Sequence, residues 1–409
     1  MIATVRPILV LLVAAFLMMA GSGVLNTVVS VRLAAAGMPT LAIGAVSAMN
    51  FAGLTLGSLF AFRTVLAVGH IRAFSAFAAM FAAAVLGHAM YLDPVFWGVL
   101  RLVEGFCLAG LFICVESWLN HAAVRETRGR MLALYTISLY TGMGLGQFLL
   151  NLDDGNGALV FAAISMLLSL ALVPVALTRM APPVLSAITS FTLRQLYRAS
   201  PLGTFGTLIS GVILGSLHSL APVYARAVGL DLSETALFMT AAILGGIALQ
   251  WPLGRLSDIF DRRRVIVGLF AGLVCVSAAM VTVSGRNLGL LIVVASLFGG
   301  VSFALYPLCV AHTNDHLEKD DMVPASGGLL FAYSIGATLG PLGASSAMDA
   351  TDAAGLFIFT GATGLLAVVI GVWRMLARPP VPIALQSRYH ALPHTTPVAV
   401  PLDPRMDAN

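Results

Sequence analysis

Charge is what this chain most lacks. Only 10% of its 409 residues are charged, against 59% hydrophobic, whereas soluble domains carry about 25% charged and about 45–50% apolar residues. Twenty-two basic and 18 acidic side chains are too few to cover a water-soluble body of 42.7 kDa. Lysine is nearly missing: Lys319 stands alone beside 21 arginines, a compositional bias without chemical meaning. Cysteine is scarce, and Cys107, Cys114, Cys275 and Cys309 all fall inside apolar runs. Thiols in such runs act as small inert hydrophobes, so neither a disulfide framework nor a zinc site is indicated. The pI near 9.0 does not point to nucleic acid, because the arginines flank apolar runs and form no solvated patch.

Hydrophobic length is what the chain has, with a mean hydropathy of +0.96. Roughly 20 apolar residues cross a bilayer. Twelve runs qualify, near 7–31, 40–62, 71–92, 95–119, 130–151, 158–178, 201–225, 234–256, 264–284, 287–311, 324–348 and 354–376. The first follows Arg6 and has a signal-like Ala20-Gly21-Ser22-Gly23, but it exceeds the roughly 7–15 residues of a secretory apolar region. It reads as a span. The expected fold is an all-α polytopic membrane protein.

The arginines orient it. With the N-terminus inside, 18 of the 22 basic residues fall in cytoplasmic loops and tails, only Arg32, Arg226 and Arg286 lie outside, and Arg101 is left within a span. That asymmetry predicts a multi-pass membrane protein with both termini cytoplasmic. The chain divides into an N-terminal six-helix bundle (1–178), a cytoplasmic linker (179–200), a C-terminal six-helix bundle (201–376) and a tail (377–409). Leu185, Ile188, Phe191 and Leu196 suit a short amphipathic helix at the headgroups, or a plain tether. Seven prolines after Arg378 predict a disordered tail, with His390 and His394 carrying little weight. Gly142, Gly144 and Gly146 in span five echo Gly336 and Gly340 in span eleven, as expected of two duplicated six-helix halves.

Gly254-Arg-Leu-Ser-Asp258-Ile-Phe-Asp261-Arg262-Arg263-Arg264 resembles the loop motif of the major facilitator superfamily, Gly-x-x-x-Asp-Arg/Lys-x-Gly-Arg-Arg. Ile259 and Asp261 depart from that pattern. Arg101-Leu-Val-Glu104-Gly105 is similar to the superfamily's intramembrane Arg-x-x-Gln-Gly, with Glu104 in the Gln slot. Gly69-His70-Ile71-Arg72, Glu116-Ser117-Trp118-Leu119-Asn120, Tyr306-Pro307-Leu308 and Ala325-Ser326-Gly327-Gly328 resemble a bacterial branch, the YcaD-like transporters. The resemblance implies the major facilitator fold and secondary transport by alternating access. It also implies a cytoplasmic latch at Asp258, Arg262 and Arg263, with Glu116, Arg128 and Arg130 in similar inner-face contacts. Simple loop stapling is the other reading of the cluster.

Arg101 and Glu104 share one helix face at i, i+3, and an ionisable group in a span marks a functional site by default. Glu104, read as the only buried carboxylate, is the expected proton-coupling group, unless the pair merely neutralises itself. No Asp/Asn/Ser cluster suggests sodium. Asn26, Asn50, Tyr140, Gln147, His218 and Tyr306 are the expected cavity lining. Interhelical hydrogen bonds explain such residues equally well. His88 sits near the outer end of span three. His312, Asp315 and His316 have metal-ligand spacing but lie at a span end, so no metal and no cofactor are expected. The expected partners are a small organic solute, protons and the lipid bilayer, for a monomer that binds no nucleic acid. No nucleophile–base set or phosphate loop supports an enzyme. A Gly-Pro pair occurs only at Gly340-Pro341, not in span five, which argues against the drug exporters of the superfamily. The alternative is a non-transporting membrane receptor or assembly factor on the same fold.

Overall fold

The computed structural model describes residues 2–124, 126–153, 155, 157–177, 183, 191–283, 287–377, 379–382 and 386–407. Twelve long helices carry the fold. They are α1 (Ile2–Ala35), α2 (Thr40–Val68), α3 (His70–Gly87), α4 (Pro94–Ala122), α5 (Arg128–Gly146) and α6 (Ala158–Leu177), then, after a short α7 (Leu193–Ala199), α8 (Pro201–Ala227), α9 (Leu232–Ile259), α10 (Arg262–Val283), α11 (Leu288–Asn314), α12 (Lys319–Ala350) and α13 (Gly355–Ala377). Among the described residues, eleven helices are long and apolar enough to cross a bilayer. α5 is more polar, and it continues into a 3-10 turn over Gln147–Leu152. The expected span at 130–151 is thus an α-helix with a tightened last turn.

Helix ends follow local chemistry. Asp93 caps α4 by accepting from Phe96 N at 2.8 Å, with Pro94 in the first turn. Asp231 and Glu234 form a reciprocal capping box on α9, and Asn287 caps α11. Each oxygen satisfies an amide that has no partner in its own helix. Gly69, at φ 85°, makes the turn from α2 into α3, a conformation that a Cβ would strain.

The same helix pairs pack in both halves. α2 lies on α4 as α9 lies on α11, α1 on α5 as α8 on α12, and α3 on α6 as α10 on α13. These are two pseudo-symmetric six-helix bundles. Lipid tails are as apolar as leucine, so the seams depend on close packing of small residues. A Cβ on Gly105 would sit 2.0 Å from Asn50 O across the α2–α4 seam, and one on Gly211 would sit 2.0 Å from Tyr333 O across α8–α12. Gly105→Val is therefore expected to cost about 1–3 kcal/mol by overpacking, read as a lower Tm in detergent. An unchanged Tm would show slack in that seam.

The bundles meet in two different ways. At one end helices touch directly: Leu41 N donates to Asp349 Oδ2 at 3.2 Å, and Ser233 Oγ donates to Asn151 Oδ1 at 3.0 Å. Closer to the centre, Thr240 Oγ1 donates to Gly144 O at 2.8 Å. At the opposite, arginine-rich end the chain's own tail lies between them. Residues 386–407 pack there, with 3-10 turns at Pro397–Leu402 and Pro404–Asp407, and Leu392, Val398, Ala399, Val400 and Leu402 are buried. The disorder expected of this segment is thereby corrected. Proline excludes a regular helix but leaves apolar side chains free to pack once two bundles offer a cleft. In the linker, Thr192 and Gln195 cap α7 and Leu196 is buried, while Leu185 and Ile188 lie outside the described residues, as do Arg125, Arg179, Arg286 and Arg378.

Candidate functional site

The buried charge network of the N-terminal bundle centres on α4. Arg101 Nη1 lies 2.8 Å from Glu104 Oε2, and both side chains are almost fully buried. Arg101 also donates to Asn26 Oδ1 of α1, and Nδ1 of His88, the C-cap residue of α3, approaches Glu104 Oε1 to 3.3 Å. Arg101, Glu104 and Asn26 thus compensate one another across α4 and α1, as a buried ion pair requires, while His88 Nδ1 also lies 3.1 Å from Ala84 O. Arg101 Nε, Glu104 Oε1 and His88 Nε2 have no hydrogen-bond partner. The position corrects the expectation of a cavity-lining pair. Asn26 lines the central cavity, whereas Arg101 and Glu104 stand behind it.

That cavity lies between the bundles and measures about 80 Å³. Of the eight residues expected there, Asn26, Asn50, Tyr140 and His218 line it, together with Phe51, Phe112, Met143 and Tyr333. His218 Nδ1 is 2.8 Å from Leu214 O, which leaves Nε2 buried without a partner. Gln147 does not reach the cavity. Its Oε1 accepts from Thr27 Oγ1 at 2.6 Å and its Nε2 donates to Met143 O at 3.2 Å, so it ties the last turn of α5 to α1. Tyr306 is also set back, against the Tyr333 ring at 5.1 Å.

The tail closes this cavity at the arginine-rich end. Pro393, His394 and Thr395 form part of its wall. The His394 ring lies 4.7 Å from Tyr333, 5.9 Å from Tyr306, 6.2 Å from Tyr140 and 6.5 Å from Phe303. Burial, with His218 beside it, pushes the His394 imidazole down to about 3. Thr395 and Thr396 donate their hydroxyls to Glu116 of α4, which also accepts from Tyr135 Oη at 2.9 Å.

Glu116 requires two corrections. It is fully buried, so Glu104 is not the only buried carboxylate. Its contacts are hydroxyls from α5 and the tail, not the arginines of the following loop. Arg130 is exposed and Arg128 half-buried.

The expected latch gathers more than the motif showed. Arg262 is fully buried and donates to Asp315 Oδ2 at 2.5 Å, Asp258 Oδ1 at 3.3 Å, Ala311 O at 3.2 Å and Ser387 O at 2.6 Å. Tyr389 N donates to Asp258 Oδ1 at 2.8 Å, and Ser387 N and Oγ donate to Asp315 Oδ1 at 3.0 and 2.9 Å. The partners of Asp258 are therefore Arg262 and the tail. Arg263 pairs with Asp261 at 3.0 Å. Asp315 is held by Arg262 and Ser387, and His316 Nδ1 lies 2.8 Å from His312 O. Among the described residues no group of three His, Cys, Asp or Glu is arranged for a metal ion.

Sequence reasoning missed Tyr333, Phe303, Tyr135 and the tail residues, and it undervalued His88. Aromatic residues inside a span look like core, and nothing in a proline-rich tail signals where it docks.

Comparison with known proteins fits this geometry. Residues 203–389 match the sequence profile of the Major Facilitator Superfamily. The chain is 30% identical over 381 residues to the uncharacterized MFS-type transporter YcaD of Salmonella enteritidis PT4, covering 93% of this chain and 98% of that protein. The YcaD of Salmonella typhi is equally similar, at 30% over the same length and shares. The fold resembles that of the nucleoside transporter NupG, with a TM-score of 0.73 at 13% identity over 90% of this chain and 98% of that one. A bacterial homolog of the human lysosomal transporter Spinster, in an inward-facing unoccupied conformation, gives 0.71 at 15% over 93% and 96%. A D-xylose-proton symporter gives 0.65 at 13% over 96% and 98%. With two matching bundles, a cavity between them and a relative that spans nearly its whole length, the chain belongs to the major facilitator superfamily of transporters, in its YcaD-like branch.

Proposed function

We propose that the protein moves a small organic solute across the bacterial inner membrane by alternating access, coupled to protons through Glu104. The arginine-rich end and both termini face the cytoplasm, following the positive-inside distribution. The observation that carries this reading is the asymmetric closure of the central cavity. Helices seal one end directly, while a separable segment fills the other, as expected of a site that opens to one face at a time. Asn26, Asn50, Tyr140 and His218, with Ser22 and the tail's His394 and Thr395, face that cavity among aromatic, leucine and methionine side chains, a lining suited to a weakly polar solute. Glu104 communicates with it through Arg101 and Asn26. Asp258, Arg262 and Arg263 act as the cytoplasmic gate, which the tail braces through Ser387 and Tyr389.

Solute uptake into proteoliposomes under an imposed pH gradient tests the reading. Nucleosides and D-xylose lead the panel because transporters of similar fold carry them, followed by amino acids and organic acids. Glu104→Gln should abolish gradient-driven accumulation of the transported solute while leaving downhill exchange. Gradient-driven accumulation that survives Glu104→Gln would remove Glu104 from the coupling. Failure of every solute on folded protein would favour a non-transporting receptor.

A further inference from the structure

The geometry points to the arginine-rich mouth of the cavity being a peptide-binding site, whose occupant is this chain's own segment 387–405. Bound there, the segment holds the pathway shut from that side. Its anchors are specific. At the rim, Asp258 and Asp315 accept the backbone amides of Tyr389 and Ser387, and Arg262 takes the Ser387 carbonyl. Deeper in, Asn120 donates to Val398 O and Glu116 accepts both threonine hydroxyls. Backbone anchors fix an extended chain in register, and side-chain pockets select its sequence. The pockets are filled: Leu402 is 0% exposed and Ala399 1%. Both bundles contribute, since Glu116 and Asn120 belong to α4, Asp258 to α9 and Asp315 to the C-cap of α11. A segment bonded to both halves opposes their separation at this end.

Glu116 makes the occupancy consequential. Without the tail, a fully buried carboxylate would keep only Tyr135 as a hydroxyl partner and would face an open cleft. Any solute passing toward the arginine-rich side has to cross the space that His394 and Thr395 now fill. The segment therefore has to leave during each opening to that side, or it stays and silences the protein. This functional half rests on the transporter reading above, whereas the binding half does not.

Protonation of His394 should weaken docking. His394 faces His218 on α8, Tyr140 on α5, Tyr306 on α11 and Tyr333 on α12, while Glu116 on α4 faces the neighbouring threonines. An unconstrained imidazole titrates near 6.5, but docked His394 sits at about 3. Docking is thus fully supported above pH 6.5 and weakens as the pH falls toward 3, because the free segment binds the proton. Protonation of His394 alone would account for about tenfold between pH 7.5 and 5.5.

The experiment uses a chain ending at Gln386 and a fluorescent synthetic peptide of residues 387–405, with anisotropy read in detergent. The peptide is expected to bind the truncated chain and to bind the full chain much more weakly because the tethered segment competes. A peptide with Thr395→Val and Thr396→Val should lose about tenfold or more through its bonds to Glu116. Absence of binding to a monodisperse truncated chain overturns the proposal, as does equal binding to both chains or equal binding by the valine peptide. Should the truncated chain not fold, full-length Thr395→Glu/Thr396→Glu sets like charges against Glu116. Trypsin should then cut at Arg405, buried in the parent, at least about tenfold faster; equal rates overturn docking. No solute enters the peptide assay, so binding without transport would count against the transporter reading and leave the peptide site standing.

Discussion

Replacing Arg262 by alanine is expected to destabilise the folded chain by about 3–5 kcal/mol, the cost of stranding a buried charge. Asp315 accounts for most of it, since its side chain is only 2% exposed and lies 2.5 Å from the guanidinium. Asp258 accounts for little, because at 31% exposure it rehydrates when released. Arg262 also donates to the Ala311 and Ser387 carbonyls, so one planar fork serves acceptors from three segments. Arg262→Lys keeps the charge without the fork and should recover only part of the loss. Thermal unfolding of detergent-solubilised protein measures all of this. Adding Asp315→Asn to Arg262→Ala should restore more than half of the lost stability. No recovery would show that the cost lies elsewhere than in the orphaned carboxylate.

The second large effect lies at Arg101. Arg101→Ala leaves Glu104 fully buried with only His88 beside it, and it should also cost about 3–5 kcal/mol. Arg101→Met combined with Glu104→Leu removes both charges and keeps the volume, which is often neutral for a buried pair. That double variant separates two roles. If the pair only neutralises itself, the variant folds and transports at the parent rate. If Glu104 carries the coupling proton, it folds with near-parent Tm and loses gradient-driven accumulation alone. A double variant as unstable as Arg101→Ala would contradict the electrostatic account.

Much of this architecture was legible in the sequence, because a bilayer imposes a length that local composition must meet. The spans and the glycine echo between span five and span eleven are both local patterns. Pairings set by three-dimensional packing were not legible. His88 caps a different helix from the one that carries Glu104, and only the α3–α4 packing brings them within 3.3 Å. Glu116 sits in the same motif as Trp118 and Asn120, yet its partners come from α5 and from a segment almost 280 residues later. Proline content led to an expectation of disorder, whereas the described residues 386–407 form 3-10 turns and pack against the bundles. It carried no information on burial, because the cleft that buries Leu402 exists only after both bundles assemble.

The two closures of the cavity follow different rules of inheritance. At the end sealed by Leu41, Asp349, Asn151 and Ser233, a change that loosens the contact also alters helices that build the cavity wall. At the other end the contact surface belongs to segment 387–405, which lies outside the long helices, and such irregular segments tolerate substitution better than packed helices do. Divergence within 396–405, beyond the cavity-lining Pro393, His394 and Thr395, can therefore retune how readily one face opens without redrawing what the cavity recognises, so related chains can share a cargo and differ in pace.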